Sequence, residues 1–460
     1  MKHEYDIPDV EIRQPPKIFA FGTIALICVL LALRHFDIIM HNSDRMLMYI
    51  WTGTFIISII QLFLSWRDRP RTVTAEQQSE LDELKVTVNV PVYNEDLELI
   101  DRVLFALFRQ TRLPNRVQVV DDGSVADYSE VISYWQEAHP SSVDFSWIRQ
   151  ENQGKRHAQA QTFREDDADI FITLDSDTAL ERHAVAEGLK PFADPRVQSV
   201  AGLELAFNQN QNWLTRTNAW RQLGWQLGSC AAQSVMGNVL VNRGTYALYR
   251  ANVIRDNLES YLTEDFFGTN VRFGDDSLLT TYSMSRGRAV QQTSAIQLTI
   301  YPENVDHHLR QWARWMRSST IRSFWRIKYL SVASYGWWTT VVNLWLFFAS
   351  TVASLAAIIM WPVAHQFILD AVAAPVLWMY FAWVRNFIVK RSDETLADQL
   401  DSFLLAPLAF AWLLFVLKPI RFYGMATCRR TGWGTRQKVE VGIAVKPEVE
   451  VPVPVAVGVP

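Results

Sequence analysis

Apolar segments near both ends of this 460-residue chain enclose a long polar middle, and this arrangement constrains the fold more than any other feature. Residues 18–66 contain two apolar runs joined by a short polar turn, and residues 338–386 contain two more. Each run, together with its flanks, is long enough to cross a bilayer as a helix. Basic residues, beginning at Arg67, follow the second run, and such residues collect on the cytoplasmic side of membrane helices. We therefore predict four transmembrane helices around a cytoplasmic domain, with residues 1–17 also cytoplasmic because two spans form a hairpin.

A further apolar segment, residues 398–428, does not fit this simple pattern. Basic residues flank its apolar run on both sides, so both flanks favour the cytoplasm. Pro407 also interrupts the run. We therefore predict a re-entrant or interfacial segment rather than a fifth full span. The tail, residues 446–460, is rich in proline and valine, and we expect it to be disordered.

The composition fits a chain divided between water and lipid. Hydrophobic residues make up 49% and charged residues 20%, so the lipid bilayer is an expected partner. The net charge of −4 provides no strongly basic surface, so we expect no nucleic-acid partner. The three cysteines are widely spaced and form neither a disulfide framework nor a zinc site, which favours a reducing compartment for the polar part.

The polar middle, residues 72–330, alternates apolar strands with amphipathic helices. This β–α–β order predicts a mostly parallel sheet with helices on both faces, and ligands in such sheets bind beyond the carboxyl ends of the strands. Residues 212–227 carry three tryptophans at roughly helical spacing, which indicates either a helix on the membrane surface or an ordinary core-facing helix. The predicted strands are 85–90, 117–121 and 170–174, and the predicted helices are 97–109 and 127–139.

Asp175-Ser176-Asp177 ends the most hydrophobic strand of this domain. Two carboxylates that leave a buried strand together repel each other unless a cation lies near them. Hard oxygen ligands suit Mg²⁺ or Mn²⁺, and such a metal would neutralise a diphosphate leaving group. We therefore predict a Mg²⁺ or Mn²⁺ site here, with a surface loop carrying an acidic cap as the alternative.

Three further polar clusters fall at predicted strand ends or helix starts. The first is Val90–Asp96, which contains Tyr93 and Glu95. The second, Asp121-Asp122-Gly123-Ser124, is either a simple turn or the edge of a nucleotide site, where a carboxylate accepts from a base or ribose and glycine permits close approach. In the third, Lys155 and its basic neighbour either steady phosphates or begin a solvated helix.

A general base is predicted at Asp276, in Gly274-Asp275-Asp276 at the start of a helix that reaches about residue 285. A carboxylate there is placed to take the proton from an attacking hydroxyl. Glu264-Asp265 is a rival acidic pair. Asp276 is favoured because a helix follows it and because Gln311 comes at a plausible distance.

Gln311, Arg314 and Trp315 occupy about one and a third turns of a predicted helix. A guanidinium can hold a pyrophosphate through two parallel hydrogen bonds, and an indole offers a flat platform for a sugar ring. Aromatic and basic residues also collect at membrane interfaces as simple anchors. The pattern alone leaves both interpretations open.

Taken together and in this order, the motifs resemble those of the processive membrane glycosyltransferases of family 2, over roughly residues 20–436. Trp433-Gly434-Thr435-Arg436, within the region 429–445, further resembles the gating loop of class I hyaluronan synthases. The resemblance implies an α/β GT-A-type (Rossmann-like) cytoplasmic catalytic domain inserted between α-helical transmembrane segments, with interfacial amphipathic helices. It also implies a multi-pass protein of the plasma membrane that forms a channel for its polymer.

The resemblance also implies roles for individual residues. UDP-sugar donors and the nascent polysaccharide acceptor are the expected ligands, Asp276 the expected catalytic base and Asp177 the expected ligand of Mg²⁺ or Mn²⁺. The expected donor-binding residues are Tyr93, Glu95, Asp122, Lys155, Asp175, Arg314, Trp433 and Arg436. The expected acceptor-binding residues are Asp275, Gln311 and Trp315.

The expected reaction is inverting polymerisation of UDP-GlcNAc and UDP-GlcA into hyaluronan, a β-linked polysaccharide. Residues Asn242–Tyr246 differ from the Cys-Ser-Gly-Pro-Leu run usual in hyaluronan synthases, which keeps chitin or a chitin oligosaccharide made from UDP-GlcNAc alone as the alternative. A more distant alternative is a multi-span solute transporter with a regulatory domain, although the predicted spans lack intramembrane charges and broken repeats. The chain stops soon after the gating loop, so a smaller channel and a homo-oligomer are both left open.

Overall fold

The computed structural model describes a few positions between 22 and 32 and the ranges 3–13, 45–164, 167–360 and 376–430. Several predictions concern residues outside these ranges. Most of the first predicted transmembrane run, the tail, and the gating-loop residues Trp433 and Arg436 lie outside the described residues.

The described strands fall into one large sheet and one small pair. They are β1 (Val10–Ile12), β2 (Val86–Val92), β3 (Arg116–Asp121), β4 (Asp144–Arg149), β5 (Ile170–Leu174), β6 (Ala179–Leu180), β7 (Val197–Ala206), β8 (Tyr246–Arg250), β9 (Arg288–Thr299) and β10 (Val389–Arg391).

The described helices include short connectors and long apolar rods. They are α1 (Arg45–Arg67), α2 (Ala75–Glu83), α3 (Leu97–Phe108), α4 (Ser129–Ala138), α5 (Lys155–Phe163), α6 (Ala184–Leu189), α7 (Trp213–Trp225), α8 (Ala231–Val235), α9 (Ala251–Arg255), α10 (Leu258–Leu262), α11 (Asp275–Arg286), α12 (Val305–Tyr329), α13 (Tyr335–Met360), α14 (Leu396–Leu404), α15 (Ala406–Trp412) and α16 (Lys418–Ala426). Turns of π-helix, Gln226–Cys230 and Leu413–Leu417, continue α7 and α15, and turns of 3₁₀-helix occur at Lys190–Ala193 and Val384–Ile388.

The large sheet is mixed, which corrects the prediction of a mostly parallel sheet. Its order is β4-β3-β2-β5-β8-β7-β9-β6. The strands β4, β3, β2 and β5 are parallel, as predicted, but β8 is antiparallel to both of its neighbours, β5 and β7. Local apolar patterning located the first strands within a few residues, but it contains no information on which distant strand will pair with β5 or in which direction.

The parallel half of the sheet brings the acidic clusters together. In the register of β2 and β3, Val92 lies beside Asp121, so both strands end at the same edge, and β5 ends there as well. The strand β2 is buried along its whole length because helices cover both faces. At the start of α3, the Asp96 side chain accepts from the backbone N–H of Glu98 and caps the helix, which ends the polar loop after β2. This edge is where a ligand is expected in an α/β sheet.

Two helical segments, Tyr335–Ala356 and Ala406–Ala426, are long and apolar enough to cross a membrane, judged by length and composition only. The second is one continuous helical run through part of the segment 398–428, and the prediction that this segment is re-entrant or interfacial stays a prediction. In α7, Trp220 is buried against Trp383, whereas Trp213 is exposed. The position of α7 at a membrane surface also stays a prediction.

Replacing Gly202 with alanine is expected to destabilise the sheet by about 1–3 kcal/mol, the usual cost of overpacking. A Cβ on Gly202 would lie 2.6 Å from the Tyr246 ring and 2.7 Å from the carbonyl oxygen of Ala295, at a bulge between β7 and β9. Thermal unfolding of the detergent-purified protein, followed by tryptophan fluorescence, measures the effect. Gly228→Ala is the matched control, since nothing lies within 4 Å of its added Cβ; an equal melting temperature for the two variants would contradict the prediction.

Candidate active site

A cavity of about 1420 Å³ opens at the carboxyl edge of the sheet and continues along α12 to the apolar helices α13 and α16. Its walls bring together most of the residues singled out in the sequence. These are Glu95, Lys155, Asp175, Asp177, Asp275, Asp276, Gln311, Arg314 and Trp315.

Lys155 joins two of the acidic clusters. Its Nζ donates to Asp175 Oδ1 at 2.7 Å and lies 3.0 Å from Asp275 Oδ2, so it bridges the end of β5 and the start of α11. Burial would lower the pKa of Lys155, but the charges of the two carboxylates outweigh it and raise that pKa above its usual value. Lys155 is therefore a fixed positive charge inside the site.

Asp275 and Asp276 are adjacent in sequence but have opposite electrostatic environments. Burial opposes ionisation of Asp275, but the charge and hydrogen bond of Lys155 outweigh it and hold the pKa of Asp275 below its usual value. Burial and then the negative charge of Asp275 raise the pKa of Asp276. Asp276 accepts from the backbone N–H groups of Ser277 at 2.6 Å and Gly244 at 3.3 Å, and it has no salt bridge to the described residues. Of the two, Asp276 has the environment that suits a general base.

The rival acid Glu264 is fully engaged in a buried ion-pair cluster. Arg156 Nη2 donates to its Oε2 at 2.7 Å, Arg322 donates to both of its oxygens, and Trp325 Nε1 donates to Oε1 at 2.8 Å. Burial opposes ionisation, but Arg322 and Arg156 outweigh it and lower the pKa of Glu264. Its neighbour Asp265 is exposed, in a turn where it accepts from the Gly268 N–H. Glu264 is thus a structural acid rather than a proton acceptor.

Asp122 and Tyr93 are not among the residues that line the cavity. Asp122 Oδ1 accepts from Gln150 Nε2 at 2.7 Å and from the Gln153 N–H at 2.9 Å, and its Oδ2 accepts from the Gly154 N–H at 2.8 Å. These bonds fix the loop that leads into Lys155. The contact of Asp122 with uridine stays a prediction.

The residues after β5 fit a hard divalent cation that the substrate helps to bind. Asp177 lines the cavity, and its Oδ1 accepts from Thr178 Oγ1 at 3.1 Å and Thr299 Oγ1 at 3.4 Å. The described residues contain no group of three metal-ligating side chains. Mg²⁺ commonly binds through one or two carboxylates plus substrate phosphates, so one aspartate is sufficient where a substrate supplies the phosphates.

The long helix α12 presents amide and aromatic groups to the cavity. Gln311 Oε1 is buried and has no hydrogen-bond partner among the described residues, which is costly unless a ligand supplies a donor. Trp315 packs edge-to-face with Trp312 at a centroid distance of 5.8 Å and also lines the cavity. An aromatic wall with an unsatisfied amide oxygen suits a sugar with its hydroxyl groups.

Sequence patterns missed several residues of the cavity wall. Glu204 lies in the apolar strand β7 and accepts from Tyr301 Oη at 2.7 Å and Thr245 Oγ1 at 2.9 Å. Arg221 and Arg243 also line the cavity. A charged residue within an apolar strand was the one available signal, and it was present only for Glu204.

Paired acids at a sheet edge, a bridging lysine and an aromatic wall are groups that a transferase acting on nucleotide sugars needs, and comparison with known proteins identifies the same class of enzyme. Residues 87–258 match the family model described as Glycosyl transferase family 2. The chain is 32% identical over 430 residues to a hyaluronan synthase of Streptococcus pyogenes serotype M3 (strain ATCC BAA-595 / MGAS315), covering 91% of this chain and 97% of that protein. A second Streptococcus pyogenes hyaluronan synthase is 34% identical over 78% of this chain and 84% of its own length.

Another relative, an N-acetylglucosaminyltransferase of Azorhizobium caulinodans, is 31% identical over 51% of this chain and 59% of its own length. The chain is a family 2 glycosyltransferase with a GT-A-type mixed sheet. The similarity that spans nearly its whole length identifies the family within this class: the chain belongs to the class I hyaluronan synthase family.

Replacing Asp275 with asparagine is expected to move the acid limb of the pH–rate profile to lower pH. Asp276 must be ionised to accept a proton, so the rate falls as the pH drops through its raised pKa. Loss of the Asp275 charge lowers that pKa, and Lys155, freed from one partner, acts in the same direction. Initial UDP release measured against pH tests this. Asp306→Asn, which removes an exposed carboxylate, is the control; an acid limb that stays in place or rises would contradict the expectation.

Proposed function

We propose that this protein polymerises UDP-GlcNAc and UDP-GlcA into hyaluronan and moves the product across the membrane in which it is embedded. The observation that carries this proposal is the 32% identity to a hyaluronan synthase along 91% of the chain. The cavity that joins the acidic sheet edge to the apolar helices supports it, because one space accommodates both the reacting sugars and a departing polymer.

On the donor side, a UDP-sugar occupies the carboxyl edge of the sheet. Lys155, anchored on Asp175, faces the diphosphate, and Arg314 adds a second positive charge from α12. Asp177 would hold Mg²⁺ or Mn²⁺, which when bound supplies charge that neutralises the diphosphate. The remaining proposed donor contacts are Tyr93, Glu95, Asp122, Trp433 and Arg436.

On the acceptor side, the terminal sugar of the nascent chain stacks on Trp315 and donates a hydroxyl to Gln311 Oε1. Asp276 removes the proton from the attacking hydroxyl, with Asp275 held beside it by Lys155. The hydroxyl oxygen bonds to the anomeric carbon as the bond from that carbon to the diphosphate oxygen breaks. Attack in line with the leaving group inverts the anomeric centre and gives a β-linkage.

The proposed arrangement in the cell is a multi-pass protein of the plasma membrane with a cytoplasmic catalytic domain. The arginines that follow α1 favour that side for the domain. The helical segments Tyr335–Ala356 and Ala406–Ala426 supply apolar walls next to the cavity. The resemblance of residues 429–445 to a gating loop supports a contact of Trp433 and Arg436 with the donor.

A chitin-type product from UDP-GlcNAc alone is the second candidate. It is favoured by the relative named N-acetylglucosaminyltransferase, whose similarity covers about half of each chain. It is the weaker candidate because the similarity to the hyaluronan synthases extends along nearly the whole chain.

Replacing Asp276 with asparagine is expected to lower UDP release by at least about 100-fold, the usual contribution of a positioned general base. The change preserves side-chain size but removes the proton acceptor, so nucleotide binding should remain near that of the wild type. Release of UDP and equilibrium binding of UDP with Mg²⁺ or Mn²⁺ measure the two effects. Asp265→Asn is a matched control in the exposed rival pair. Unchanged UDP release in Asp276→Asn would remove Asp276 from its proposed role.

The donor requirement tests the product. Purified protein in lipid vesicles is incubated with each labelled UDP-sugar alone and then with both. Polymer sensitive to hyaluronidase is expected only when both donors are present. Long polymer from UDP-GlcNAc alone would establish the chitin-type alternative, and absence of UDP release under every condition would favour the transporter.

A further inference from the structure

Arg221, Lys418 and Arg421 line the cavity and have no carboxylate partner among the described residues. Arg326 also lacks one, but its guanidinium donates to the carbonyl oxygen of Leu240. Lys155, which lies beside the proposed base, differs from these cations because it forms ion pairs with Asp175 and Asp275. The paired cations are neutralised by the protein itself. The unpaired ones leave net positive charge along the route from Trp315 to the apolar helices.

Arg221 lies one aromatic layer away from the proposed acceptor wall. Its guanidinium stacks on the Trp312 ring at 4.8 Å from the centroid, and Trp312 in turn packs on Trp315. Its only hydrogen bond to the described residues is from Nη2 to Asn218 Oδ1, at 2.7 Å. Burial lowers the pKa of Arg221 to about 10, so the group stays charged at neutral pH. A guanidinium has five donors, and most of those of Arg221 remain available to a ligand.

Lys418 and Arg421 continue the same route between α16 and α13. Trp312 Nε1 donates to the carbonyl oxygen of Leu417 at 3.3 Å. The backbone just before Lys418 therefore contacts the same tryptophan on which Arg221 is stacked. Lys418 Nζ donates to Ser350 Oγ at 3.1 Å, and Arg421 stacks on Phe347 at 4.1 Å. Charged side chains inside apolar helical segments are costly and mark functional positions when they face a cavity.

We infer that Arg221, Lys418 and Arg421 bind the carboxylates of an acidic polysaccharide as it passes from the acceptor wall toward the membrane helices. This inference rests on the proposed function and deepens it, because it assigns residues that recognise the uronic acid of the product. The alternation of aromatic rings with cations matches a ligand that alternates sugar faces with carboxylates. A guanidinium suits such a carboxylate because it forms two parallel, charge-assisted hydrogen bonds.

Two ligands that differ only in charge test the inference. One is a hyaluronan hexasaccharide, and the other is the same hexasaccharide with its carboxylates reduced to primary alcohols. Binding to the full-length, detergent-purified protein is measured by isothermal titration calorimetry. The wild type should bind the native hexasaccharide at least about tenfold more tightly, since its carboxylates accept charge-assisted hydrogen bonds that the alcohols cannot replace. High salt should reduce the difference.

The variant Arg221→Gln should lose about tenfold in affinity for the native hexasaccharide and nothing for the reduced one. Arg216→Gln is the matched control: Arg216 lies on the same helix, is paired with Asp401 and does not line this cavity. Lys418→Gln and Arg421→Gln repeat the test at independent positions, so that misfolding of one variant does not decide the result.

Equal binding of the two hexasaccharides by the wild type would overturn the inference, as would an equal loss for both in Arg221→Gln. Displacement of the native hexasaccharide by UDP, with no preference for its carboxylates, would assign the cations to the donor phosphates instead. The outcome of this binding test does not depend on the outcome of the donor-requirement test. Polymer that needs both donors, together with equal binding of the two hexasaccharides, would sink this inference and leave the proposed function intact.

Discussion

The ion pairs of Lys155 are the interaction on which the rest of the site depends. Asp175 follows β5 and Asp275 begins α11, so the two carboxylates come from segments 100 residues apart and would repel each other without a cation between them. Lys155 itself begins α5, and the three bonds from its loop to Asp122 hold it in place. Desolvation of a buried charge is costly, but two partners within 3.0 Å offset that cost. The bridge fixes the end of β5 relative to the start of α11, where the proposed base Asp276 lies.

The same bridge explains how neighbouring aspartates take different roles. Lys155 satisfies Asp275, which stays ionised, and that negative charge then disfavours ionisation of Asp276. A carboxylate with a raised pKa is a stronger base than one held by a cation, so two identical side chains acquire different proton affinities, as the proposed roles of Asp275 and Asp276 require. Glu264 shows the contrasting case, because two arginines and a tryptophan occupy its lone pairs.

Local patterns in the sequence predicted the parts of the structure that depend on local physics. The strands β2, β3 and β5 lie within a few residues of their predicted bounds because buried strands are continuous apolar runs. The antiparallel insertion of β8 was not predictable in this way, since it depends on pairing across about 75 residues of chain. Acidic residues at strand ends located the site, whereas Arg221 lies within an aromatic helix and belongs to no motif. The bridging role of Lys155 depends on the approach of α11, which no local pattern encodes.

The distribution of charge along the cavity follows from what each region must bind. Near the sheet edge the carboxylates that line the cavity outnumber Lys155, so this region is acidic and suits a bound cation. Toward α13 and α16 the charged residues that line the described wall are cations. Holding Arg221, Lys418 and Arg421 half-buried without carboxylate partners costs free energy that the binding of a neutral polymer would not offset. Arg221 and Arg421 are stacked on aromatic rings, and Lys418 donates to one neutral hydroxyl, so most of their donors have no partner among the described residues. That arrangement is stable only where a ligand or water completes the hydrogen bonds, and a chain with a carboxylate on every second sugar completes them repeatedly as it moves.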